Sequence, residues 1–316
     1  MIRILFSLAV LVLATNCRAQ KTETVFLDPN DSAANLYIVV HPPTQPYKGY
    51  LVLLPGMFQK PATVLQETEL PKHAARQGLL TIIPTLKNGI SSFGVDSFSQ
   101  ASLLEILDTV KRRYNLAGKR FFLGGFSIGG SSALKYAALA VEQSRGALPD
   151  AVFAIDAPLD FERMFNTMQR ELSFPNVAAD MQEESRYMMA RFEKIFGGSP
   201  VEALTRYQQL SPYSYSDTSR KAVKLLAGIP IRLYTEPDIH WSLDQGIDLY
   251  GMNAFDFVAL ANDLRRLGSN KLQLILTTNK GYRKLGNVRH PHSWSIAEPQ
   301  GLVRWLLSQK IKTPAR

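Results

Sequence analysis

Residues 120–134 read RFFLGGFSIGGSSAL. The apolar run Phe121-Phe122-Leu123 predicts a buried strand, and the small-residue segment from Ser131 to Ala140 predicts a helix. Between them stands Gly125-Phe126-Ser127-Ile128-Gly129, a G-x-S-x-G turn. A serine hydroxyl is a poor nucleophile unless it is exposed, held on a strained strand-to-helix turn, and placed beside backbone amides that can bind an oxyanion. Glycine at 125 and 129 lets neighbouring backbone approach where a Cβ would obstruct it.

Outward from this elbow the chain alternates between strand and helix. Thr22 to Leu27 and Leu36 to Val40 read as an antiparallel opening, separated by the turn-rich DPNDS. Leu51-Val52-Leu53-Leu54 and Leu79 to Ile83 are continuous apolar runs, as expected of central strands buried on both faces. Ser99 to Tyr114 is an amphipathic helix with Leu103, Leu104, Leu107, Val110 and Tyr114 on one stripe. Beyond the elbow come strands Ala151 to Ile155, Ile229 to Tyr234 and Leu272 to Thr277, a helix Ala254 to Leu267, and a last helix from about Ile296 to Ser308. This order predicts an α/β fold: a mostly parallel central sheet with helices on both faces.

One segment breaks the alternation. Residues 161–226 carry no strand pattern; Phe161, Met164, Phe165 and Met168 stand at helical spacing, a second helix runs from about Ala179 to Phe196, and Ser199-Pro200-Val201-Glu202 has the form of a capping box with proline at the first helical position. It is read as a helical cap over the carboxyl edge of the sheet.

A serine nucleophile needs a base, and the base needs an orienting carboxylate. The chain has five histidines. His41 and His73 precede the elbow and read as surface residues. His290 and His292 lie on the loop after the last predicted strand, and His292 is preferred because Ser293-Trp294 leads into the final helix while His290 precedes a stiffening proline. For the acid, Asp238 is preferred, in the turn after the strand Ile229 to Tyr234; Glu236 is the first alternative, and Asp156 or Asp160, after the preceding strand, the second. His240 reads as a surface or pocket-lining residue. The expected oxyanion donors are the main-chain N–H groups of Ile128 and of Met57, after Pro55-Gly56.

The 316 residues suffice for one elaborated domain, and 46% hydrophobic with 20% charged residues excludes a disordered or multi-span membrane chain. The net charge of +9 is spread along the chain without a basic block, so no nucleic-acid partner is expected. The basic run Lys280, Arg283, Lys284 and Arg289 reads as solvated surface, with an acidic, uronate-bearing glycan substrate as the alternative. No HExxH element, cysteine pair, phosphate loop or dinucleotide fingerprint is present, and no metal or cofactor is expected. Residues 1–19 have the form of a signal peptide: Arg3, an apolar run from Ile4 to Ala14, and small or polar residues up to Ala19. That run is shorter than the roughly 20 residues of a membrane span. Removal after Ala19 would leave residues 20–316 without cysteine, which suits a secreted or periplasmic protein; lipidation of Cys17 is the alternative.

With the elbow, the later Asp238 and His292 and their order along the chain in view, the sequence resembles the α/β-hydrolase superfamily. GGFSIGGSSAL is similar to the elbow of its carboxylesterases, thioesterases and feruloyl- or acetyl-esterase-like members, and the likeness covers nearly all of residues 20–316. The resemblance implies Ser127 as nucleophile, Asp238 as acid and His292 as base, and a serine hydrolase acting on small-molecule or glycan-linked esters. A serine peptidase of the same type and a non-catalytic binding protein are the alternative readings. Pro55-Gly56 departs from the His-Gly found in many members, and the insert is longer than in the minimal esterases.

Overall fold

The computed structural model describes residues 20–309, apart from positions 29, 32, 145, 176 and 178. The expected signal peptide and Cys17 lie outside the described residues. Eight strands form one sheet in the order β1-β2-β4-β3-β5-β6-β7-β8. They are β1 (Thr22–Phe26), β2 (Leu36–Val40), β3 (Gly49–Leu54), β4 (Leu79–Thr85), β5 (Arg120–Phe126), β6 (Ala151–Ile155), β7 (Ile231–Thr235) and β8 (Leu272–Leu276). The β1–β2 and β2–β4 pairs are antiparallel and all later pairs parallel, as the sequence predicts.

The apolar runs of β3, β4 and β6 are buried at every residue because helices cover both sheet faces. Side chains alternate across β3: Val52 and Leu54 join one core, Leu51 and Leu53 the other. The first core is completed by α3 (Ser97–Arg113), α4 (Ile128–Gln143), α8 (Lys221–Leu226) and α10 (Asn253–Arg266). The second is closed by α1 (Pro61–Glu67), α2 (Leu70–Arg76) and α11 (Pro299–Ser308). Local chemistry sets the ends of several helices. Asp96 accepts from Ser99 N–H at 2.9 Å to start α3, and Glu298 accepts from Gln300 N–H at 2.8 Å ahead of Pro299 in α11.

The segment 161–226 is helical, with α5 (Phe161–Glu171), α6 (Ala179–Phe196), α7 (Pro200–Leu210) and α8. The Glu202 carboxylate accepts from both Ser199 N–H and Ser199 Oγ–H at 2.8 Å, fixing the start of α7 as its motif predicts. Val223 and Leu226 of α8 belong to the core of the body, so the layer over the strand ends comes from α5, α6 and α7. Its aromatic centre, Phe161, Phe165, Phe192, Phe196 and Tyr207, packs on Phe93 and Val95 of the loop after β4 and on Ile128 at the start of α4, with Met57 against it.

A buried charge cluster ties this layer to the body. Arg163 of α5 donates from Nε and Nη2 to Asp256 of α10 at 2.5 and 2.8 Å, and from Nη1 to Tyr250 O at 2.6 Å. Asp256 also accepts from Leu159 and Asp160 N–H, where the chain leaves the sheet for α5. Removing one partner of a buried pair strands the other charge. Asp256→Ala is therefore expected to lower stability by about 3–5 kcal/mol in urea denaturation. Beside it, burial first and the Asp256 carboxylate second push the Asp160 carboxyl up to about 6. Folded Asp160 holds its proton more tightly than the unfolded chain does, so its contribution is full below 3.8 and lost as pH rises through about 6. The stability advantage of wild type over Asp160→Asn should accordingly grow between pH 7 and pH 5; a difference that stays flat over this range would contradict the assignment.

Candidate active site

Ser127 occupies the turn between β5 and α4 with φ 53° and ψ −130°, a conformation that costs a non-glycine residue about 1–3 kcal/mol. Its neighbours leave no alternative path. A Cβ on Gly129 would collide with the carbonyl oxygens of Leu54 and Pro55, and one on Gly125 would lie 2.5 Å from Leu54 O. Helix α4 thus starts with its backbone against the end of β3, and the serine is pushed outward. Ser127 N–H donates to Ile155 O at 2.8 Å, continuing the β5–β6 ladder past the end of β5. The serine is part-exposed, and its hydroxyl bonds no described residue.

Asp156 repeats the arrangement one strand over. It follows β6, has φ 43°, and donates its N–H to Tyr234 O at 2.7 Å. Its Oδ2 lies 2.7 Å from His292 Nδ1, while Oδ1 accepts from Thr235 Oγ1–H at 2.6 Å. The His292 ring sits 4.4 Å, centroid to centroid, from Phe126, the residue before Ser127. With Nδ1–H donated to the carboxylate, Nε2 keeps its lone pair and can act as a base.

Asp238, the expected acid, is not on the histidine. Its Oδ2 takes Arg289 Nη2 at 2.5 Å and its Oδ1 accepts Trp241 N–H at 3.1 Å, capping a short helix α9 (Ile239–Asp244). The Trp241 N–H, joined by the guanidinium, holds the Asp238 carboxyl below its usual range. Glu236, the first alternative, is buried and binds Arg289 Nη1 at 2.6 Å, Thr277 Oγ1 at 2.8 Å and the amides of Lys280 and Gly281. Together these two carboxylates fasten the histidine loop to the end of β7. The loop carries a two-stranded ribbon, β9 (Tyr282–Arg283) with β10 (Val288–Arg289). The physical reason for the correction is that Arg289 of the histidine loop takes both carboxylates after β7, while Asp156, after β6, meets the His292 ring. Asp156 was legible as a residue after a strand, but its pairing with a ring 136 residues later was not. Asp160, the other alternative, is buried and caps α5.

His290 has a different task from His292. A guanidinium can only donate, so the 3.0 Å contact with Arg283 Nη2 makes His290 Nε2 an acceptor. Burial, then the Arg283 charge, lowers its pKa to about 4, which keeps the ring neutral. His240 is an exposed residue of α9. The N–H groups of Met57 and Ile128 have no acceptor among the described residues. They belong to segments in direct contact, the loop after β3 and the start of α4, since Gly129 abuts Pro55 O and Gly56 abuts Phe126. In the basic run, Arg289 is consumed by Glu236 and Asp238, and Lys284 pairs with Glu69 at 2.8 Å. Among the described residues no group of three or more His, Cys, Asp and Glu is placed to hold a metal ion, and no helix is long and apolar enough to cross a membrane. Asp156→Asn is expected to slow reaction of Ser127 with a fluorophosphonate by roughly 10⁴-fold, the scale on which a serine triad loses activity when its acid becomes an amide. Asp238→Asn should cost less than about 10-fold; the opposite ranking would return the acid to Asp238.

No family model matches the chain, and no curated protein matches it in sequence. Solved structures do match in fold. MPT51 of Mycobacterium tuberculosis superposes with a TM-score of 0.58 at 14% identity, over 92% of this chain and 99% of that one. An S-formylglutathione hydrolase from Agrobacterium tumefaciens gives 0.54 at 13% identity, over 92% and 95%. FphF, a fluorophosphonate-binding serine hydrolase of Staphylococcus aureus, gives 0.55 at 15% identity, over 92% and 99%. The strand order, the strained Ser127 turn and these superpositions over almost the whole chain give it the α/β-hydrolase fold.

Proposed function

We propose that the protein is a serine hydrolase that cleaves carboxylic esters through an acyl-serine intermediate. The observation that carries this reading is the 2.7 Å contact of His292 Nδ1 with Asp156, with the ring lying against the residue before Ser127. Ser127 Oγ attacks the ester carbonyl and His292 Nε2 takes its proton. Asp156 holds the Nδ1–H tautomer and stabilises the imidazolium that forms. The oxyanion is received by the N–H groups of Met57 and Ile128, each of which has an unspent donor. Collapse of the tetrahedral intermediate returns the proton from His292 to the leaving alkoxide, and water repeats the sequence on the acyl-enzyme. Ser127 Oγ has no hydrogen-bond partner among the described residues, and its bond to Nε2 belongs, in this reading, to the substrate complex. Serine hydrolases among the proteins of like fold support the assignment. We also propose export of the protein, on the form of residues 1–19.

The mature protein is expected to be labelled at Ser127 by a fluorophosphonate and to turn over short-chain p-nitrophenyl esters. His292→Ala should reduce turnover by at least about 10⁴-fold, whereas His290→Ala should leave much of it. Absence of labelling in a folded sample would favour a binding protein, and cleavage of peptidyl but not ester substrates would favour a peptidase.

A further inference from the structure

Gln59 stands outside the proposed triad and oxyanion donors, yet three hydrogen bonds place it between them. Gly56 N–H and Trp294 Nε1–H both donate to Gln59 Oε1, at 3.0 and 3.1 Å. Two donors converging on one atom require that atom to be the amide oxygen, which fixes the orientation of the side chain. In addition, Gln59 N–H donates to Gly56 O at 3.1 Å, closing a four-residue turn whose third residue, Phe58, has φ 63°. Phe58 N–H is itself held by Ile90 O at 2.6 Å.

The peptide between Gly56 and Met57 is trans, so its C=O and N–H point in opposite directions within one plane. Holding Gly56 O inward on Gln59 N–H aims Met57 N–H the other way. The side-chain oxygen then fixes the preceding amide, and through Trp294 it links this loop to the histidine loop two residues after His292. Trp294 is only 2% exposed and packs 5.5 Å from Phe126, which also meets Gly56 and the His292 ring.

We infer that Gln59 is the positioning residue that aims the Met57 oxyanion donor and keeps it in register with the base, acting through Gly56 and Trp294 without touching the substrate. This rests on the hydrolase reading above. A group that only filled space would be replaceable by an isostere; one that acts as a double acceptor would not.

The test compares wild type, Gln59→Met and Trp294→Phe in their rate of fluorophosphonate labelling at Ser127, and in kcat and KM on p-nitrophenyl acetate. Gln59→Met keeps the volume and removes the acceptor; Trp294→Phe removes one donor. Gln59→Met should lower labelling rate and kcat by about 10- to 100-fold with KM within about 3-fold, less than deletion of an oxyanion donor itself. Trp294→Phe should shift kcat in the same direction by a smaller factor. Wild-type kcat in a folded Gln59→Met, or a change in KM alone, would overturn the assignment while leaving the hydrolase reading intact. If Gln59→Met does not fold, Trp294→Phe decides: reduced kcat at unchanged KM supports the inference, and wild-type kcat overturns it. A wild-type protein that is not labelled at all would overturn both.

Discussion

Strand β5 passes its last hydrogen bond to β6, and β6 passes its own to β7: Ser127 N–H reaches Ile155 O at 2.8 Å and Asp156 N–H reaches Tyr234 O at 2.7 Å. Both residues then turn away at positive φ, so a serine and an aspartate stand at the same sheet edge one strand apart. The rest of the candidate site depends on this edge. Strain of about 1–3 kcal/mol at each turn is sustained by a ladder buried on both faces and by the packing of Gly129 onto Leu54 and Pro55.

The histidine has to be brought to that edge from a long loop, and the carboxylates after β7 are spent on doing so. Glu236 collects two amides, a threonine hydroxyl and Arg289, and Asp238 takes the other side of the same guanidinium. The loop is thereby fastened at Gly281 and Arg289, leaving His292 to reach Asp156. Phe126 supplies the floor, in contact with the His292 ring, the Trp294 ring and the loop at Gly56.

Above the edge, the α5–α7 layer is joined to the body in two ways of different character. Its aromatic core packs on Ile128 and Phe93 and tolerates adjustment, as apolar packing does. The Arg163–Asp256 pair is directional and anchors the point where the chain leaves the sheet. Toward its other side, the ring of Tyr187 meets Phe58 at 6.0 Å.

Hydrophobic periodicity and turn chemistry are properties of neighbouring residues, and whatever depended on them was readable along the chain. The buried strands 51–54 and 151–155, the Ser127 elbow between its glycines, the Ser199–Glu202 cap and the helical character of 161–226 all follow from residues within a few positions of one another. The choice among Asp156, Asp160, Glu236 and Asp238 did not, since all four follow parallel strands and carry the same carboxyl group. Nor did the role of Gln59, one amide in an unremarkable loop. The fold settled the first, by placing Asp156 on His292 while Arg289 takes Glu236 and Asp238, and only the meeting of two loops 235 residues apart gave Gln59 its second donor, Trp294. A hydrogen bond forms between groups about 3 Å apart in space, and sequence patterns carry that information only when the chain is locally regular.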